Sequence, residues 1–400
     1  MMENTQNNDK NTNTTTQKEV KAKLVQPSKE ALSVCGERIR AGKLVSFPTE
    51  TVYGLGADAT SEKAVLSIFE AKGRPLTDPV IVHIASHEMV DRILLDTKER
   101  ALIKYLGSKL WPGPLTLIGP CNTDYIPPLV GSNTGTVGVR WPDNEIAQKL
   151  ILASERPIAA PSANRFMHVS PTQASHVFYD LYDQDIHIIE AEQTDLGVES
   201  TVCRIMRSEA DSEKLEAVIL RPGTLEASEI REALRASPEF GSVQLRMKKK
   251  KHTVKEGKNA CGPGQLLKHY SPNVDCKMIL KVPEDESDLE GFKEISADEV
   301  DFSKTALIDF GGVFGDFEQK VRVYKDLSES GDYKEALYNL YLTLRECEIF
   351  DGVELILVAY CDDGYKEGEL GATLFDKIFR SASGVEVFSR EKKLYKRDCP

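Results

Sequence analysis

Apolar positions recur at helical spacing between Lys29 and Ala41, where Ala31, Leu32, Cys35 and Ile39 share one side. A short apolar run, Lys43 to Phe47, then reads as a strand. Ser61 stands where an N-cap belongs, and Ala64, Val65, Ile68 and Phe69 make the apolar side of a helix reaching about Ala71. Further strands are expected over Pro79–Ala85 (PVIVHIA), Thr136–Arg140 (TVGVR), His187–Ala191, Ser200–Ile205 and Val218–Gly223. Another ends in PIAAPSAN, Pro157 to Asn164, and WPGPLT marks a break. Strands mixed with helices at these lengths predict one α/β domain over residues 25–240.

The pattern stops after that. Residues 241–274 contain MKKKKHTVKEGK and then ACGPGQLLKHYSP, with neither helical nor strand period, and read as a linker. Beyond it KMILKV, TALIDF, VRVY and VELILVAY are strand-like, and Tyr333–Phe350 and Leu370–Ala382 are amphipathic helices. Residues 275–400 are therefore expected to form a second, smaller α/β unit with a largely parallel sheet. Residues 1–24, rich in Asn, Thr and Gln, read as a disordered tail.

Composition narrows the function classes. The net charge of −12 opposes a surface that grips nucleic acid along its length, while leaving room for one local basic cleft. The 8 cysteines show no CxxC or zinc spacing, so reduced cytosolic thiols are expected and no metal site is assigned. No segment approaches the roughly 18 apolar residues of a membrane span. No P-loop is present, and DFGGVFGD (Asp309–Asp316) makes a poor phosphate fingerprint, better read as a plain turn after a strand.

Candidate chemistry collects at strand ends. FPTETVYGLG, Phe47 to Gly56, follows an apolar run with two threonines and a glutamate; Pro48 and Gly54 punctuate either a structural turn or a ligand-binding loop. Lys72 and Arg74, in AKGRP, read either as helix C-capping cations or as a pair converging on one anion. His83 lies on a strand with apolar neighbours, as satisfied core histidines do. Arg140 ends a strand and either holds a carboxylate or emerges at the surface. Ser162 and Asn164 in PSAN, Glu199–Val202 (ESTV) and Leu220–Gly223 (LRPG) repeat the pattern. No Ser-His-Asp set accompanies them, so anion recognition and charge-stabilised transfer fit better than covalent catalysis.

In this order PTETVYGLG, KGRP, PSAN, ESTV and LRPG resemble the YrdC-like family, whose hallmark KxR followed by SxN is here Lys72/Arg74 and Ser162/Asn164. The PGQLLKHYSP linker and C-terminal extension resemble its long two-domain form. The resemblance implies a YrdC-like twisted mixed sheet with a concave cavity, followed by a smaller Rossmann-like α/β domain. It implies a nucleotidyltransferase making threonylcarbamoyl-AMP and pyrophosphate from L-threonine, bicarbonate and ATP with Mg²⁺. A downstream tRNA threonylcarbamoyl-transferase complex would consume the product transiently, with no stable nucleic-acid binding by this chain. Residue by residue, Thr51, His83, Arg140, Ala160 (through its backbone) and Ser200 would hold threonine. Arg74, Asp78, Thr136, Ser162, Asn164, Ser170, Arg221 and Tyr270 would hold ATP, with Lys72 and Arg74 as catalytic cations and Tyr270 closing over the site. Two departures stand out: Arg165-Phe166-Met167-His168 replaces a small Ser-Gly turn, and Gln265-Leu266-Leu267-Lys268 removes a linker cation. The alternatives are a non-catalytic RNA-binding or ribosome-associated module, supported by Lys248–Lys251, a carbamoyl-transfer domain with another acceptor, or a separate nucleotide site at Gly311, Gly312 and Gly315.

Overall fold

The computed structural model describes residues 19–209, 211–247, 269–281, 292–296, 299–360, 368–390 and 393–397. The lysine run, Gln265–Lys268 and most of the N-terminal tail lie outside them. The first sheet is built from β1 (Lys23–Val25), β2 (Leu44–Phe47), β3 (Gly54–Asp58), β4 (Ile81–His83), β5 (Leu115–Pro120), β6 (Thr136–Arg140), β7 (Ile158–Ala160), β8 (Ile186–Ile189), β9 (Thr201–Arg207), β10 (Leu215–Arg221) and β11 (Gln244–Met247). Its 11 strands run in the order β1-β8-β2-β3-β7-β4-β6-β5-β9-β10-β11 and mix parallel and antiparallel pairs. The first domain therefore extends past residue 240, because β11 pairs in parallel with β10.

Helices α1 (Lys29–Arg40), α2 (Glu62–Lys72), α3 (His87–Ile93), α4 (Lys98–Leu110), α5 (Glu145–Ser154), α6 (Ala174–Leu181) and α7 (Ala227–Arg235) accompany this sheet. The two helices expected first form as their caps dictate: the Ser28 hydroxyl accepts from the Ala31 amide and the Ser61 hydroxyl from the Ala64 amide. Gly73 stops α2 in the left-handed region at φ 67°. The expected strand Pro79–Ala85 shortens to β4, because its flanking backbone groups are engaged elsewhere. On its N-terminal side the Pro79 carbonyl accepts from Arg74 and the Val80 amide donates to Val130, while on the other side the ladder ends with the Ile84 amide donating to Arg140, the last residue of β6.

The second sheet comprises β12 (Asp275–Lys281), β13 (Phe292–Glu294), β14 (Thr305–Asp309), β15 (Val323–Asp326), β16 (Leu355–Ala359), β17 (Glu386–Arg390) and β18 (Lys393–Arg397), ordered β13-β18-β17-β12-β16-β14-β15. It is parallel from β15 through β17, with an antiparallel edge at β18 and β13, and carries α8 (Tyr333–Glu348) and α9 (Glu369–Ser381). The expected Rossmann-like unit is what forms. Its glycine turn is already satisfied: the Asp326 carboxylate accepts from the amides of Gly311 and Gly312, and Asp309 from those of Phe310 and Phe314. Those amides face carboxylates, which disfavours a phosphate there.

The two domains share a core. Val52, Val169 and Val198 of the first domain, with Tyr270, belong to the same apolar cluster as Leu337, Tyr341 and Leu344 of α8 and Leu374 and Ile378 of α9.

Candidate active site

A cavity of about 550 Å³, counting the open space at its mouth, lies where the ends of several first-sheet strands meet. His83 ends β4 and Arg140 ends β6, and the parallel register sets them side by side. Ala160 ends β7, Arg221 ends β10, and Glu199 and Ser200 lead into β9. The loop from β2 to β3 supplies Thr49, Thr51, Val52 and Tyr53, and the segment after α2 supplies Arg74.

The bend in that loop is made by a threonine. The Thr49 hydroxyl accepts from the amides of Thr51 and Val52, donates to the Val52 carbonyl at 2.7 Å, and lies 2.8 Å from the Thr51 hydroxyl. The glycines that follow do not turn the chain, as the sequence had suggested; they sit inside β3. A Cβ on Gly56 would come within 2.7 Å of Ile158 and Phe47, so close packing of neighbouring strands is what excludes a side chain. Tyr53 is buried, its hydroxyl paired with the amide and carbonyl of Ala191.

Of the residues assigned from sequence, Thr51, Arg74, His83, Arg140, Ala160, Ser162, Ser200 and Arg221 line this one cavity. Six others stand off its wall. Lys72 lies behind it, donating from Nζ to the carbonyls of Ser162 at 2.6 Å and Asn164 at 2.5 Å; its ammonium staples the PSAN loop. Asn164 turns its amide to the carbonyls of Arg165 and His168. Asp78 pairs with Arg74 at 2.9 Å, Ser170 donates to Glu199 at 2.6 Å, and the Thr136 hydroxyl contacts that of Thr134. Tyr270, at φ 61°, turns into the shared core and leaves its neighbour His269 on the cavity wall.

Thr49, Glu199 and His269 join the lining without having been assigned from sequence, and Glu50 stands behind Arg140. ESTV carried the signal for Glu199 as a carboxylate among strand-end hydroxyls, but nothing local said that its side chain faces inward. The Arg165–His168 departure also acquires a place. His168 is buried between Asp180 of α6, 2.9 Å from Nδ1, and Glu348 of α8, 2.8 Å from Nε2. Arg345 of α8 pairs with the same Asp180 at 2.9 Å.

Charge in the cavity is dominated by arginine. Arg140 is buried and lies 2.7 Å from Glu50, but the contact lacks hydrogen-bond alignment. Its Nε and Nη2, and both Glu50 oxygens, are without hydrogen-bond partners among the described residues. Arg221 donates to the Ser200 carbonyl at 2.9 Å, and Arg74 to the carbonyls of Asp78 and Pro79. Burial, and then the Arg140 charge, push His83 down to about 3, so it sits beside Arg140 as a neutral imidazole. Burial, reinforced by Arg74, also lowers Lys72 well below the usual lysine range. Among the described residues no group of three or more His, Cys, Asp and Glu is placed to hold a metal ion.

Fold and site together define a two-domain α/β enzyme whose cavity is suited to bringing two anionic reactants together. The family described as "Telomere recombination" (Sua5, YciO and YrdC) matches residues 37–223, and "Threonylcarbamoyl-AMP synthase, C-terminal domain" matches residues 211–383. The threonylcarbamoyl-AMP synthase of Pyrococcus abyssi is 37% identical over 353 residues, covering 87% of this chain and 93% of the relative. That of Schizosaccharomyces pombe is 33% identical over 380 residues, covering 85% of each. The solved P. abyssi Sua5 complexed with L-threonine superposes with a TM-score of 0.73 at 33% identity, over 92% of this chain and 99% of that one. The chain belongs to the threonylcarbamoyl-AMP synthase family.

Proposed function

We propose that the chain makes threonylcarbamoyl-AMP and pyrophosphate from L-threonine, bicarbonate and ATP, for threonylcarbamoyladenosine modification of tRNA. One observation carries the reading: a single cavity holds a buried arginine whose Nε and Nη2 make no hydrogen bond among the described residues, beside a neutral histidine, and two further arginines on its walls. Arg140 receives the threonine carboxylate, with Thr51, Ser200 and the Ala160 backbone around the amino acid. Arg74 and Arg221 face the phosphates, with Ser162 nearby.

The amine of threonine, once deprotonated, attacks carbon dioxide derived from bicarbonate, and the proton leaves to solvent. A carbamate oxygen then attacks the α-phosphorus of ATP; that P–O bond forms as the bond to the departing pyrophosphate breaks. No protein nucleophile is needed. The cavity's task is to juxtapose two anions and stabilise developing charge, and a single such stabiliser is often worth about 3 kcal/mol. Neutral His83 orients the amino acid without adding charge. Mg²⁺ arriving on the nucleotide supplies further charge neutralisation, and the residues present fit a metal held mainly by phosphates and water. Lys72 shapes the Ser162–Asn164 loop from behind.

The product is a labile mixed anhydride, so a tRNA threonylcarbamoyl-transferase complex takes it up in a transient encounter in the cytoplasm. Among the described residues no helix is long and apolar enough to cross a membrane. An RNA-binding role without turnover is less well supported, since the chain carries −12 overall. Pyrophosphate release from ATP, with threonine and bicarbonate omitted in turn, tests the reading. Dependence on both is expected, and release indifferent to threonine would overturn it.

A further inference from the structure

Lys377 lies on α9 of the C-terminal domain, and its side chain is 0% exposed. A lysine so enclosed needs a counter-charge, and it crosses the domain interface to find one: Nζ lies 2.7 Å from Oε2 of Glu199, a residue of the cavity wall. Tyr341 of α8 donates to the same oxygen at 3.0 Å, while Ser170 donates to Oε1 at 2.6 Å. Glu199 is thus held by donors from both domains. The next residue, Ser200, offers its carbonyl to Arg221 twice, at 2.9 and 3.2 Å, so the carboxylate's setting is relayed to a cavity cation. The same ammonium sits 4.6 Å from the centre of the Tyr270 ring and 3.5 Å from its hydroxyl. Tyr270 ends the linker beside His269, which lines the cavity.

We propose that Lys377 is a positioning residue for the reaction: from the C-terminal domain it sets Glu199 in the cavity wall and Tyr270 at the end of the linker, so that docking of the domains and completion of the cavity are one event. The inference rests on the synthase reading for the reaction it serves, though not for the contacts themselves. Other charged pairs at the interface, such as Arg345 with Asp180, hold the domains together without touching the lining. The Lys377–Glu199 pair is different because one partner is itself a wall residue.

The full-length chain, Lys377→Met and Lys377→Arg are compared by threonine-dependent pyrophosphate release and by hydrogen exchange over residues 196–202 and 269–273. Lys377→Met is expected to lose at least about 30-fold in kcat/KM for ATP and to exchange faster in both segments, with the strands of both sheets still protected. Lys377→Arg, which keeps the charge, recovers most of both. A purely structural role would not move the pH profile. Burial pushes the Glu199 carboxyl up, but Lys377 and Arg221, with the hydrogen bonds from Lys377 and Ser170, hold it down at about 2. Tyr341, Tyr270 and His269 face the same group and bring no fixed positive charge at neutral pH. The acid limb of kcat/KM should therefore move up by about one pH unit or more in Lys377→Met and stay in place in Lys377→Arg.

Glu199→Gln should cost less in the Lys377→Met background than in the wild type, because both act through one contact. Unchanged activity and exchange in Lys377→Met, or loss of protection throughout both sheets, overturns the inference. A wild-type chain with no threonine-dependent release overturns the synthase reading instead, and the exchange comparison then decides the inference alone.

Discussion

Two of the arginines assigned to substrates, Arg74 and Arg140, also have an internal carboxylate partner, and this decides how their loss will read out. Arg74 and Asp78 pair at 2.9 Å in a buried site, so Arg74→Ala strands a buried carboxylate and costs about 3 kcal/mol of stability besides its effect on ATP. The double variant Arg74→Ala/Asp78→Ala is expected to recover most of the melting temperature and none of the turnover, which separates folding from catalysis. Glu50 shares Arg140 with the incoming amino acid. Glu50→Gln keeps the shape and removes the competing charge, so threonine should bind about tenfold more tightly, a gain of roughly 1.4 kcal/mol, with ATP affinity unchanged. Titration calorimetry measures both, and weaker threonine binding would place Glu50 on the substrate's ammonium group instead. His83 carries a pH signature. Its folded pKa of about 3 lies below the unfolded 6.5, so the unfolded chain binds the proton first. Its stabilising contribution is complete above pH 6.5 and drains away as pH falls towards 3; His83→Gln should flatten that part of a melting-temperature profile.

At the scale of elements, what the sequence showed well was what local chemistry dictates. The helix expected over Lys29–Ala41 and the one capped by Ser61 and reaching about Ala71 match α1 and α2 nearly to the residue, and Thr136–Arg140 formed as read. The strand β3 was missed because two glycines mimic a turn, and their true reason, the approach of Phe47 to both, with Ala160 at Gly54 and Ile158 at Gly56, is tertiary. Likewise KxR and SxN marked the right loops, yet no spacing could reveal that Lys72 faces the backbone of Ser162 and Asn164. Nor could it show that Tyr270 turns away from the cavity while His269 faces it. Lys72→Met should therefore loosen the PSAN loop, raising hydrogen exchange over residues 162–168 along with the KM for ATP. An effect on kcat alone would instead place its ammonium at the reacting phosphate. Gly197 offers a second test. At φ 72°, a Cβ there would lie 2.4 Å from the Tyr338 carbonyl oxygen of α8, so Gly197→Ala is expected to loosen docking while leaving each sheet intact.

Over the whole molecule, the two domains meet through charge and apolar packing together. Burial works against protonation of His168, but its hydrogen bonds to Asp180 and Glu348 outweigh that and raise its pKa above the usual value. This histidine's contribution to docking is thus complete below about pH 6.5 and is lost as pH rises through the raised pKa, opposite in sign to His83. The apolar share has a thermal consequence. Val52, on the loop that also carries Thr51, belongs to the cluster that α8 and α9 complete, so parting the domains would wet valine and tyrosine surface. Any opening that parts the domains must then carry a positive heat-capacity change. Cooling weakens such a contact and sulfate strengthens it, so the docking of the two domains is tied to temperature and solvent.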